Sequence, residues 1–252
     1  MKNLRIISRL DIKSENLIKG IRLEGLRKLG DPYLFALDYF KNHTDEIIYV
    51  DNVASLYNRD SILNIIEKTT QNIFIPFTVC GGIRSLEHVE KILKSGADKI
   101  GINSAAIKDS NLIKTIATKF GSQCVTLSIE AKKRNSTWEA LYNNGREKSG
   151  LDVFDWAKKA ESLGAGEILL TSVDKDGTQQ GFDLDLIEKF YKQIKIPIIV
   201  SGGFGKVSHL NDLFERCDPD AIAIASAFHY KKSTINDIRK FCIEKKKLVR
   251  EI

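Results

Sequence analysis

The chain has 252 residues, 42% of them hydrophobic and 29% charged, with a formal net charge of +6, enough to bury the core of one large α/β domain or two small ones. No run approaches a membrane span, and the opening MKNLRIISRLD has neither the apolar stretch nor the cleavage site of a secretory signal. Cys80, Cys124, Cys217 and Cys242 are scattered without a C-x-x-C pair, and much of the positive excess sits in Lys231-Lys232 and Lys245-Lys246-Lys247 with no nucleic-acid motif, so the composition suits a reducing cytoplasm and argues against zinc, disulfides, nucleic acid and membrane.

Arg5 to Lys13, RIISRLDIK, is expected as a first strand, buried on both faces, with Arg5 at one end and Asp11 at the other. At about 3.3 Å per residue the two charges stand roughly 20 Å apart, at opposite mouths of a parallel sheet or barrel. A connection rich in charge and glycine follows, through Gly20, Gly25 and Gly30, and reads as a long loop, a length that marks binding loops, lids or disorder. Asp31-Pro32 then opens a helix.

Further strands are expected at Glu46 to Val50, Pro76 to Cys80, Lys99 to Ile102, Val125 to Glu130, Glu167 to Leu170, Pro197 to Val200 and Ala221 to Ala225. Helices follow them, with Ile62, Ile65 and Ile66 at helical spacing in one and Ser85, Asp152 and Asp183 placed to cap others. Between Ala131 and Gly150, Trp138 to Tyr142 and the turn Asn143-Asn144-Gly145 predict a small hairpin. Eight strand-helix units of about thirty residues each favour a closed (β/α)8 barrel, one domain over 1–252, above an open doubly wound sheet.

The polar punctuation recurs roughly 120 residues on, dividing the chain into halves of about 1–121 and 122–252: Asp11 with Glu130, Gly81-Gly82 with Gly202-Gly203, and Ser104 with Ser226. All of these follow strands and belong on the catalytic face of a barrel. Gly81, Gly82, Asn103 and Ser104 would present N–H groups and a hydroxyl to an anion, and Gly202, Gly203 and Ser226 would do the same opposite, implying a substrate with a phosphate at each end. Tight turns are the alternative reading of each Gly-Gly pair.

Asp11 and Glu130 could serve as general acid and base if their surroundings separate their pKa values. Asp51, Thr171, Asp174 and Asp176 share the face and could orient substrate or merely cap helices. His43, His88 and His209 fall in or beside helices and only His229 lies near a strand end, so a histidine mechanism is disfavoured. At the other mouth Arg5, Glu46, Lys99 and Glu167 each begin a strand and could close into a ring of ion pairs, for which a structural plug is the simpler role.

LDIK at 10–13, IKG at 18–20, GDP at 30–32, GGI at 81–83, ADKIGINSAA at 97–106, FGSQ at 120–123, GAGEILLTSVDKDGT at 164–178 and SGGFGK at 201–206 together resemble the cyclase subunit of imidazole glycerol phosphate synthase. The resemblance implies a (β/α)8 barrel of histidine biosynthesis, without cofactor or metal. It implies a heterodimer with a glutaminase docked on the N-terminal face, whose ammonia passes a gate of Arg5, Glu46, Lys99 and Glu167. It also implies Asp11 as a catalytic acid, and extends the substrate-binding set to Lys19 and Gly177.

Three positions depart from the family pattern: Glu130 stands for a catalytic aspartate, Cys80 for a glycine and Asn144 for a serine. An added methylene moves a carboxylate by about 1.5 Å, and about 1 Å can cost a hundredfold in rate. The departures keep two alternatives open. One is a relative that uses glutaminase ammonia to turn a sugar acetamido group, on a nucleotide-sugar for example, into acetamidino. The other is an inactive barrel that binds and regulates a glutaminase.

Overall fold

Strand β1 (Arg5–Lys13) is buried along almost its whole length because it has a core on each side. Ile6, Leu10 and Ile12 face the helices, while Ile7 joins Ile48, Cys80, Leu169, Ile199, Ala221 and Ala223 in a smaller interior cluster. In the computed structural model, which describes residues 3–52 and 62–252, this alternation repeats around eight parallel strands.

Besides β1, the barrel strands are β4 (Glu46–Asp51), β5 (Phe77–Cys80), β6 (Lys99–Ile102), β7 (Val125–Arg134), β10 (Glu167–Ser172), β11 (Ile198–Ser201) and β12 (Ala221–Ile224). Each pairs in parallel with the next, and β12 pairs back to β1 through Arg5↔Ala221 to Ser8↔Ile224. The sheet therefore closes on itself, as a (β/α)8 barrel does.

Several of the described helices outside begin at polar caps, whereas Leu63–Thr70, Asn111–Phe120 and His209–Arg216 have no side-chain cap. Asp31 accepts a hydrogen bond from Tyr33 N–H at 2.8 Å ahead of the helix Pro32–Lys41. Asp152 caps Val153–Ser162 through Phe154 N–H, and Thr234 with Asp237 forms a capping box at the start of Ile235–Glu244.

The first connection differs from the expected loop. It is a hairpin, β2 (Asn16–Ile21) and β3 (Glu24–Gly30), whose first strand pairs antiparallel with the end of β1. Its turn is made by Arg22 and Leu23, both at positive φ without being glycine, so the usual punctuation is missing where the chain reverses. Gly20, which reads as a breaker, is needed for close pairing: a Cβ there would lie 2.1 Å from Glu24 O. The second hairpin, β8 (Thr137–Tyr142) and β9 (Glu147–Asp152), extends from β7 as the Asn-Asn-Gly turn predicts.

Candidate active site

Side chains that point into the barrel stack in layers from one mouth to the other. At the N-terminal mouth Arg5 donates to Glu46 at 2.8 Å and to Glu167, while Lys99 donates to the second oxygen of each, at 3.3 and 3.2 Å. Two cations and two carboxylates thus close one ring. The glutamates are buried and the outer parts of Arg5 and Lys99 keep about a quarter and a fifth of their side-chain exposure. Burial alone would depress the Arg5 guanidinium, but Glu167 and Glu46 outweigh it and hold its pKa above the ordinary value.

Above the interior cluster lies a residue that the sequence reading passed over. Arg9, 3% exposed, donates from Nε to Asp11 at 2.9 Å, and from one terminal nitrogen to Thr171 Oγ1 at 2.8 Å and Ser201 Oγ at 3.1 Å. It reaches across the interior from β1 to β10 and β11. The signal was available: in a strand every second residue shares a face, so counting back from Asp11 puts Arg9 and Arg5 inside the barrel with it.

Asp11 is held from the other side by Lys19, whose Nζ lies 2.7 Å from Asp11 Oδ2 and 3.0 and 3.1 Å from the two oxygens of Asp176. The hairpin delivers this lysine. Arg22 N–H donates to Asp176 O at 2.8 Å, and Gly177 abuts the hairpin so closely that a Cβ would stand 2.2 Å from Gly20 O. Burial would raise the Asp11 carboxyl, but Arg9 and then Lys19 hold it well below the usual carboxylate range. Lys19 is likewise raised, because Asp11 and Asp176 outweigh its burial.

Glu130 sits differently. One oxygen accepts from Gly145 N–H at 2.7 Å, at the tip of the second hairpin, and among the described residues no cation pairs with it directly. Burial pushes its carboxyl up to about 7, against the pull of the Gly145 N–H and the more distant Arg9. The two carboxyls are therefore separated, one ionised throughout the neutral range and one titrating within it, which is the arrangement that acid-base chemistry needs.

Glu130 opens onto a cavity of about 300 Å³ that also takes in Asp51, Gly81, Gly82, Asn103 and Ser104. The residues of the first glycine-bearing segment are thus gathered at one cavity, with Gly81 and Gly82 both at positive φ. Ser104 Oγ and Asn103 Nδ2 also hold the second hairpin, through Asn143 N–H at 3.0 Å and Leu141 O at 3.2 Å. The expected counterpart is not built the same way. Gly202 and Gly203 border neither of the two cavities described here, and a Cβ on either would strike backbone, Ser172 O at 2.9 Å or Gly181 O at 2.0 Å, just as one on Gly81 would strike Asp51 O at 2.3 Å. Ser226 and Gly177 instead border a separate cavity of about 700 Å³ with Lys19, Arg27 and Lys232.

The remaining candidates divide. Thr171 and Asp176 are drawn into the network of Arg9 and Lys19, whereas Asp174 turns outward to Lys132 and Lys133 N–H and fastens the second hairpin. His229 is buried, with Nδ1 2.6 Å from the Tyr39 hydroxyl, and burial followed by the nearby Lys19 charge pushes its imidazole down to about 3. It is a neutral packing residue. Among the described residues no cluster of three or more His, Cys, Asp and Glu could hold a metal ion, and no helix is long and apolar enough to cross a membrane.

The same arrangement of sequence recurs in known proteins. Residues 5–234 match the family described as "Histidine biosynthesis protein". Over 212 residues, 84% of this chain and 100% of the relative, the sequence is 54% identical to the imidazole glycerol phosphate synthase subunit HisF of Legionella pneumophila. It is 45% identical over 95% of its length, and 96% of the relative's, to the subunit of the same name from Hydrogenobaculum sp. (strain Y04AAS1). Against that of Methanocaldococcus jannaschii it is 42% identical over 97% of both chains. The chain belongs to the histidine biosynthesis protein family, among its HisF members.

Proposed function

We propose that this barrel is the cyclase subunit of an imidazole glycerol phosphate synthase, taking ammonia from a glutaminase partner. It would convert the phosphoribulosyl-formimino carboxamide ribonucleotide to imidazole glycerol phosphate and an aminoimidazole carboxamide ribonucleotide. The observation that carries this reading is the pairing of a complete four-residue ring at one mouth with two electrostatically separated carboxyls at the other. Asp11, held ionised, is the group suited to accept a proton from the reacting ammonia or substrate. Glu130, protonated for part of the time near neutrality, is suited to give one to a leaving group.

The glutaminase would dock on the N-terminal face, where the ring opens. Phe74, in the loop that leads to β5 on that side, is 79% exposed, a large apolar side chain of the kind that interfaces cover. Ammonia would enter past Lys99, the cation with the longest ring contacts. Purified protein supplied with ammonium salt and the formimino ribonucleotide should release the aminoimidazole product; none above background would sink the reading.

A second reading, amidination of an acetamido sugar with the same ammonia supply, is favoured by the upper mouth. There Arg9 spans the interior and Glu130 stands in the place of an aspartate, while the ring beneath is intact.

A further inference from the structure

Beneath the four-residue ring, aspartates tie neighbouring barrel strands together. Asp45, Asp98 and Asp220 each stand just before a strand and accept from a backbone N–H near the start of the preceding one. The donors are Ile6 N–H at 2.7 Å, Phe77 N–H at 2.9 Å and Ile198 N–H at 3.0 Å. Asp45 and Asp98 directly precede Glu46 and Lys99, two members of the ring.

Asp45 holds more than its neighbouring strand. Its own N–H donates back to Ile6 O at 2.9 Å, so Ile6 and Asp45 grip each other in both directions, one residue away from Arg5 and Glu46. Its other carboxylate oxygen takes two guanidinium groups, Arg239 Nη2 at 3.0 Å and Arg250 Nε at 3.1 Å. Arg239 belongs to the helix Ile235–Glu244 and Arg250 to the segment beyond it, where Leu248 O accepts from Leu4 N–H at 2.8 Å. The two arginines are joined as well. Arg239 Nη1 donates to Arg250 O at 2.7 Å, and both side chains donate to His43 O.

Burial separates the members of this network. The Asp45 and Arg239 side chains are 8% and 5% exposed, whereas Arg250 keeps 46%. One buried guanidinium already balances the carboxylate, and removing that partner would leave an uncompensated buried charge. Arg250 is therefore additional to charge balance. A contact that served only to fasten the segment after the last helix would need no bond to Ile6, yet the Ile6 bond is the shortest that Asp45 accepts.

We propose that Asp45 is a positioning residue of the ring. Through Ile6 and Glu46 it fixes the approach of β1 to β4 at which Arg5 meets Glu46, with Arg239 as its buried counter-ion and Arg250 as the member that reaches the surface. What this does for ammonia rests on the reading of the ring as a passage; the hold on Arg5 does not.

The test is hydrogen exchange by NMR on the whole chain, read at the Ile6 amide and the Arg5 guanidinium. The Ile198 amide, held by Asp220 in the same manner, is the reference. Asp45→Asn should speed exchange at Ile6 and Arg5 by about tenfold or more and leave Ile198 within about twofold. Arg250→Ala, which keeps Asp45 paired with Arg239, should speed the same two places by about threefold, and Arg250→Lys should return them to within about twofold of native. If Asp45→Asn does not fold, the two Arg250 variants carry the test. Exchange that rises equally at Ile198, or an Arg5 that answers to none of the substitutions, overturns the proposal. An Arg5 that responds while glutamine-dependent turnover stays native counts against the ring as a passage, and leaves the positioning role standing.

Discussion

Asp11 and Glu130 each stand where a barrel strand runs on into an antiparallel hairpin, Asp11 opposite Ile18 and Glu130 opposite Leu141. Their surroundings are opposite. Asp11 lies between two buried cations, one from its own strand and one from its hairpin; Glu130 has a backbone N–H and a cavity. Equivalent places in a barrel thus supply a permanent anion and a switchable acid, and what separates them is the side chain at one interior position, Arg9, together with the lysine that the first hairpin carries in.

The most damaging way to break that contrast is Asp11→Asn. It would leave Arg9 and Lys19 buried without their shared anion, at an expected cost of about 3–5 kcal/mol in a denaturant titration. Ammonia-dependent turnover should fall by about a hundred- to ten-thousandfold. In the native chain the Asp11 contribution, from a carboxyl held below its ordinary value, is present above that value and is lost as pH falls through its lowered pKa, so acid unfolding should be steeper than in the variant.

Arg9→Met comes next. Removing the guanidinium takes away a charge that lowers Glu130, so the midpoint near 7 in the pH dependence of turnover should move upward, with a loss of about 2–5 kcal/mol in stability. An unmoved midpoint would show that Arg9 does not set the difference between the carboxyls.

Glu130→Gln sharpens the contrast with less damage to the fold. Since the Glu130 pKa is raised from 4.5 to about 7, its proton favours the folded chain below 4.5, and that advantage is lost as pH rises through about 7. The variant should therefore gain on the native protein by about 2–3 kcal/mol between pH 5 and pH 8, and its rate profile should lack the midpoint near 7. The smallest structural effect is expected for Lys99→Ala: under about 1 kcal/mol of stability for a partly exposed pair, yet a clear change in glutamine-dependent turnover while turnover on added ammonia is spared. Equal loss of both would argue against a passage through the ring.

The barrel was legible because its strands are largely apolar on both faces and several of its helix starts, such as Asp31, Ser85, Asp152 and Asp183, carry capping residues, both local signals. The ring was legible as well, since charges at the starts of buried strands have few places to go. The first hairpin was hidden because Arg22 and Leu23 turn the chain without glycine, while Gly20 serves pairing instead of reversal. Gly81, Gly202 and Gly203 all stand where a Cβ would strike backbone, and close packing and anion binding call for the same residue, so glycine alone does not separate the two roles. Arg9 follows from period-two counting, whereas the burial that raises Glu130 depends on packing among distant strands and leaves no trace in spacing.

Arg9 also divides the space above the interior cluster. Its side chain runs as a chord from β1 to β10 and β11, while Val50, Cys80, Gly101, Ser128 and Glu130, on β4 to β7, border the open cavity. A small molecule rising along the axis meets a cationic strut on one side and vacant volume on the other. On the proposed passage of ammonia from the ring, the route would therefore be lateralised: the same strut that holds Asp11 ionised fills one side of the interior and leaves the Glu130 side open.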